Sequence, residues 1–259
     1  MKRLAILLYG VAVYLLFLAT FLLAVFFVEG VLVPRTLSAG GTLGPPLTAV
    51  LVNASLLGLF AAQHNVMARP WFKRRWTRIV HPAVERSTFV LATIALLDLM
   101  IWFWRPMPTV LWEVGGPAAT VLTALSWAGW GLVLVATFII DHFDLFGLKQ
   151  VIRHYRGMSP TAPTFQVKSL YRWTRHPLYL GFFIAFWCTP TMTVSHLLFA
   201  GISTAWVALT VRVFEERDLI AEHGDAYREY RRRVPMILPL PRSSKPTSAP
   251  KRRGDTVGA

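Results

Sequence analysis

The chain has 259 residues, 54% of them hydrophobic and only 15% charged, yet it carries a formal net charge of +14. Such a basic balance suits a nucleic-acid binder, whose Lys and Arg neutralise phosphates, but long uncharged runs exclude that class and point to a bilayer. The single cysteine, Cys188, excludes an internal disulfide framework and reads as a small buried hydrophobe.

The first run, Leu4 to Val28, follows Lys2 and Arg3 and contains no charge. At about 1.5 Å per helical residue it can cross a hydrocarbon core of about 30 Å with some tilt. It exceeds the roughly 7 to 15 apolar residues of a secretory signal, so a retained anchor is expected. Leu47 to Ala68, Thr88 to Trp104 and Val121 to Ile140 follow as further spans. Leu178 to Val211 is too long for one ordinary span, and Thr189-Pro190-Thr191 interrupts it, which predicts two short helices folded back as a hairpin.

The expected fold is all-α and membrane-integral, with about four transmembrane helices, a C-terminal helical hairpin and an interfacial amphipathic helix. Residues 1–140 supply the N-terminal helices and 141–240 the functional core. Residues 241–259 are basic and lack apolar content, which predicts a disordered tail that anionic lipid would attract.

Lys and Arg near span ends stay on the cytoplasmic side. They gather before the first span, between the second and third, between the fourth and the hairpin, and from Arg212 onward, whereas Arg35 and Arg105 stand alone in their loops. Both termini are therefore expected in the cytoplasm. The chain must then cross an even number of times between Leu178 and Val211, as a hairpin does.

The chain has no G-x-G-x-x-G after a strand, no P-loop, no H-E-x-x-H and no paired C-x-x-C, so no metal site is expected. Polar residues at the edges of apolar runs carry the functional signal instead. His64, near the end of the second run, reads either as a ligand or proton carrier or as an interfacial cap. Asp98 stands alone inside the third run and is read as structural, protonated or bonded to a Ser or Trp on a neighbouring span. After the fourth run, Asp141-His142-Phe143-Asp144-Leu145-Phe146-Gly147 interleaves polar groups with aromatics, so it cannot turn all its polar groups to water without exposing rings.

Arg175-His176-Pro177 stands where a basic segment becomes the hairpin, with Tyr179 and Gly181 just behind. Pro177 suits a first helical turn and pushes His176 out of the helical region, which holds two cations beside a helix N-terminus already favourable to anions. Gly181 permits close approach of a ligand or a neighbouring helix. At the other foot, Glu215-Glu216 begins a stretch whose Leu219, Ala226, Tyr227 and Tyr230 fit an amphipathic helix broken at Gly224.

In order and spacing, R-H-P-x-Y-x-G, the hairpin, E-E-x-x-L and G-x-x-Y-x-x-Y ending at Pro235 resemble the C-terminal core of the isoprenylcysteine carboxyl methyltransferase family. Gln63 to Pro70, Val84 to Thr88 and His142 to Leu148 resemble its nurim-like and NnrU-like branch, with Asn65 where a small hydroxyl residue is expected. The resemblance implies a bacterial inner-membrane enzyme that uses S-adenosyl-L-methionine to methylate a small volatile thiol, methanethiol, to dimethyl sulfide.

It also implies roles. Arg175, His176 and Tyr179 would hold the cofactor's carboxylate and nearby polar groups, with Pro177 fixing the turn and Gly181 letting its body pass. Glu215 or Glu216 would answer its amine, ribose or sulfonium. His142, Asp144 and His64 are the candidate bases, because the thiolate is the nucleophile. Phe143, Phe146, Trp187 and Met192 are candidates to close a pocket around so small a substrate. The alternatives are another small or lipophilic thiol, a non-enzymatic nurim-like membrane protein, or a haem or metal protein using His64 and His142.

Overall fold

The structure, a computed structural model, describes residues 1–159 and 169–238, so the basic tail expected from 241 onward lies outside the described residues. The architecture is all-α and membrane-integral, as the uncharged runs require. Five helices are long and apolar enough to cross a membrane. The first four are α1 (Lys2–Glu29), α2 (Pro46–Ala68), α4 (Glu85–Phe103) and α5 (Gly116–Ile140). A seven-residue α3 (Pro70–Trp76) follows α2 directly.

Their ends follow local chemistry. Gly30 in the left-handed region closes α1, its N–H donating to Phe26 O. Pro70 forces Arg69 into an extended conformation and stops α2. After α5 come two short helices, α6 (His142–Leu145) and α7 (Leu148–Tyr155).

The apolar stretch from Leu178 divides as expected into α8 (Pro177–Trp187) and α9 (Val194–Thr210). With 11 residues, α8 covers only about 16 Å and cannot cross alone. The hairpin tip holds something the runs did not announce. Strand β1 (Val110–Glu113), in the loop before α5, pairs antiparallel with β2 (Thr191–Thr193). Val114 N–H also donates to Pro190 O at 2.9 Å. Strands of four and three residues are too short to display an alternating pattern.

Beside the sheet, buried Trp104 donates its indole N–H to Leu37 O and Ser195 Oγ, both at 3.0 Å, tying the end of α4 to the loop after α1 and to the start of α9. The glycines Gly129 and Gly181 let α5 and α8 pack backbone to backbone. A Cβ on Gly181 would lie 2.8 Å from Gly129 O, and one on Gly129 would lie 2.6 Å from Ala185 N. Intramembrane carboxylates are likewise held across helices. Glu29 accepts from Ser126 Oγ and Trp130 Nε1, both at 2.6 Å, and Asp98 accepts from Thr20 Oγ1 at 3.2 Å.

Beyond α9 the helix widens into a π-helical turn, Val211–Glu215, and continues as α10 (Glu216–Arg233). The expected break is present: Gly224 has φ 56° and ψ −130°, outside helical space.

Candidate functional site

The start of α8 builds one half of the site. Pro177 occupies the first turn, where its missing N–H does no harm, and His176 sits just outside at φ −130° and ψ 65°. The chain just past α10 folds back across this corner. Arg175 N–H donates to Pro235 O at 3.0 Å, His176 N–H to Met236 O at 3.2 Å, and Thr174 Oγ1 to Met236 O at 3.1 Å. Tyr230 adds a clamp, its hydroxyl donating to Tyr171 O at 2.7 Å. Arg175 and His176 are consequently only 6% and 5% exposed.

The π-helical turn supplies the other half. Consecutive residues on an ordinary α-helix point about 100° apart, so two neighbouring carboxylates rarely converge on one target. Here the wider turn brings both to α8, and such turns recur at functional sites. Glu216 Oε1 lies 2.6 Å from Arg175 Nη2, and Glu216 Oε2 lies 3.7 Å from Arg231 Nη1. Glu215 Oε1 lies 3.4 Å from His176 Nδ1, while its Oε2 accepts from the Tyr179 hydroxyl at 3.0 Å. Arg175 Nη1 also donates to Arg231 O at 2.8 Å.

Burial by itself would lower the His176 pKa, but the Glu215 and Glu216 carboxylates outweigh it and hold the imidazole above the ordinary histidine value. Its Nε2 lies 3.8 Å from Glu216 Oε1 and makes no hydrogen bond among the described residues, which leaves one buried donor open. A buried ion cluster is a poor way to stabilise a fold, because desolvation offsets most of the Coulomb attraction. Its presence at the head of an apolar hairpin points to a ligand.

The end of α2 packs against this second half. Arg69 pairs with Asp218 at 2.8 Å and rests on the Phe214 ring at 4.8 Å, and Thr210 Oγ1 donates to Asn65 Oδ1 at 3.3 Å. His64 stands among the rings of Phe60, Phe89 and Trp206, and the charges acting on it are those of Arg86 and Glu215. Arg86 rests on Phe89 and donates to Leu145 O at 2.6 Å. Asp144 is one of the two acids whose charge reaches Arg86.

His142 is differently placed. The Tyr14 hydroxyl lies 2.9 Å from its Nε2 and the Thr137 hydroxyl 2.8 Å from its Nδ1, so both ring nitrogens are occupied. Burial lowers its pKa. Phe146 stacks on Phe17 at 3.8 Å beside it, whereas Phe143 is 46% exposed and meets the His142 ring edge-on at 5.4 Å. Trp187 and Met192 lie at the opposite end of the hairpin from Arg175. Trp187 bonds Thr204 at 2.9 Å, and Met192 is fully buried in β2. Gly181 faces α5, not the charged cluster.

Arg231, Trp206 and Arg86 also border this region, and little in the sequence marks them. Arg231 is one of many cations on α10, and Trp206 is one more aromatic in an apolar run. Arg86 is the exception, since a cation so close to the start of a span was a signal available from the sequence.

Comparison with known proteins gives the family. A family model described as a protein of unknown function, DUF1295, matches residues 47–234. A methanethiol S-methyltransferase of Mycobacterium tuberculosis is 54% identical over 93% of this chain and 98% of its own length. The chain belongs to the methanethiol S-methyltransferase family. Methanethiol S-methyltransferase 1 of Bradyrhizobium diazoefficiens is 50% identical over 91% of this chain and 82% of its own. Human nurim is a more distant relative, 31% identical over 60% of the chain and 62% of its own length. No solved structure matches.

Proposed function

We propose that this chain is an integral membrane thiol S-methyltransferase that moves a methyl group from S-adenosyl-L-methionine to methanethiol, releasing dimethyl sulfide. The observation that carries this reading is the buried cluster of Arg175, His176, Glu215 and Glu216, in a chain so similar to proteins bearing that activity's name.

The donor set suits this cofactor, a zwitterion with an added sulfonium charge. Arg175 and the open Nε2 of His176 would bind its carboxylate, and Tyr179 its nearby polar groups. Glu215 and Glu216 would answer its amine, its ribose hydroxyls or the sulfonium. Pro177 fixes the turn that presents both cations, and Gly181 contributes by letting α8 close on α5. The cofactor, when bound, supplies an electrophilic methyl group.

The protein's own part is to align the thiol, exclude water around it and take its proton. His64, His142 and Asp144 are the candidate bases, and His64 ranks first because both nitrogens of His142 are already occupied. A volatile apolar thiol partitions into lipid and reaches the site sideways, while the charged cofactor arrives from the cytoplasm. Both termini then lie in the cytoplasm of a bacterial inner membrane, on the side where Lys and Arg concentrate.

Purified protein in detergent tests the reading. Calorimetric titration should show S-adenosyl-L-methionine binding, and headspace analysis should show dimethyl sulfide from methanethiol. Arg175→Ala should abolish cofactor binding. Absence of binding to the unaltered chain removes the function, and normal binding by Arg175→Ala removes the cofactor assignment.

A further inference from the structure

Two shielded nitrogens beside the site have nothing to bond. His64 Nδ1 and Trp206 Nε1 are both buried and lack a hydrogen-bond partner among the described residues. Native folds rarely leave such groups unsatisfied, so a pair in one place calls for an explanation. They belong to a single cluster of rings. His64 and Trp206 meet edge-on at 5.7 Å, Phe60 lies 5.7 Å from His64 and 5.5 Å from Trp206, and Phe89 lies 5.1 Å from His64.

The cluster adjoins the charged site from its membrane side. Asn65, the next residue after His64, bonds Thr210 just ahead of the π-helical turn, and the charges of Arg86 and of Glu215 in that turn both act on the His64 ring. Trp206 precedes Glu215 on the same continuous helical segment. A molecule among these rings would therefore lie between the lipid and the proposed cofactor position.

The chemistry of the four side chains selects its occupant. With Nε2 protonated, His64 Nδ1 is an acceptor, and the Trp206 indole is a donor only. Everything else they offer is aromatic surface. A short alkanethiol matches this set: one S–H donor, sulfur lone pairs and a hydrocarbon remainder. Water would find only two polar partners there, the minimum that a buried water ordinarily takes.

Resting on the methyltransferase reading above, we infer that Phe60, His64, Phe89 and Trp206 form the seat of the thiol, where His64 Nδ1 takes its proton and the Trp206 N–H bonds its sulfur. The S–H bond breaks with the proton passing to Nδ1, and a sulfur lone pair forms the new C–S bond. The old C–S bond breaks with its electron pair returning to the donor sulfur. The positive charge lost from the sulfonium reappears on the His64 imidazolium, whose proton then returns to solvent.

Calorimetry and turnover together test this. The protein is saturated with S-adenosylhomocysteine and titrated with methanethiol. Phe60→Trp, which adds bulk to the cluster, should weaken methanethiol binding by about tenfold or more and leave S-adenosylhomocysteine affinity unchanged. Trp206→Ala, which opens it, should raise the ratio of kcat/KM for ethanethiol over methanethiol by about tenfold. His64→Gln should lose methanethiol turnover but retain turnover of methaneselenol, which is acidic enough to ionise without a base.

Failure of the unaltered chain to bind S-adenosylhomocysteine overturns the methyltransferase reading and the seat with it. Normal cofactor binding with unchanged thiol affinity in Phe60→Trp and unchanged selectivity in Trp206→Ala overturns the seat alone. Equal loss of thiol and selenol turnover in His64→Gln removes His64 as the base.

Discussion

Glu216 faces three cationic side chains, Arg175, His176 and Arg231. Neutralising it leaves the buried Arg175 guanidinium without its carboxylate at 2.6 Å, and breaking a buried pair from one side costs about 3–5 kcal/mol. Glu216→Gln should therefore lower the thermal unfolding midpoint in detergent well below that of Glu222→Gln, a control at an exposed position. His176 gives a pH signature. Its folded pKa is raised, so its share of stability is full below about 6.5, the unfolded value, and is lost as pH rises through the folded value. Unfolding midpoints measured upward from pH 6 should fall in the unaltered chain and fall less in His176→Gln. These residues were legible in the sequence because charge at the edge of an apolar run is expensive, and Asp98 was legible for the same reason. Its partner was not: Thr20 on α1 bonds it, a hydroxyl that looks like any other polar residue in a long apolar run.

Helix positions were also legible, since charge and proline mark where an apolar run must stop. The faces of those helices were not. In a bilayer a helix is apolar all round, so no periodic stripe tells which side meets a neighbour. Only small residues hint at contact, and Gly181 left two readings open, a ligand or a helix. The structure gives the helix: a Cβ there would stand 2.8 Å from Gly129 O and 2.9 Å from Val133 N, both backbone atoms that yield little. Gly181→Ala should force α5 and α8 apart at a cost of about 1–3 kcal/mol. Gly58→Ala on α2, whose Cβ would meet nothing within 4 Å, should instead be neutral or slightly stabilising. The same comparison of unfolding midpoints distinguishes packing from general intolerance of glycine replacement. The π-helical turn was illegible too, because Glu215-Glu216 reads as an ordinary helix start and only the fold shows both carboxylates turned to α8.

Across the whole molecule, tertiary contacts sort the chain into two ends. At one, Tyr9 meets Thr88 at 3.1 Å, His81 meets His154 at 4.5 Å, and Arg175 meets Glu216. At the other, Asn53 Nδ2 donates to Arg105 O at 2.7 Å, Ser38 meets Thr193 at 2.8 Å, and β1 pairs with β2. Among the described residues, the first end carries the dense Lys and Arg. At the second, Arg35 donates to Trp102 O at 2.9 Å and lies over the Trp102 ring, as an isolated cation at a membrane interface would. Under the proposed topology the positive-inside rule would turn the charged site toward the cytoplasm. Glu113 in β1 and Glu222 in α10, both exposed, report on the two ends. In a background where the free Cys188 is replaced by serine, Glu113→Cys should react with a membrane-impermeant maleimide added to intact spheroplasts. Glu222→Cys should react only after the membrane is opened. Labelling of Glu222→Cys in intact spheroplasts would invert the topology and put the charged cluster on the side where the cytoplasmic cofactor is absent, so it would sink both the orientation and the route proposed for cofactor entry.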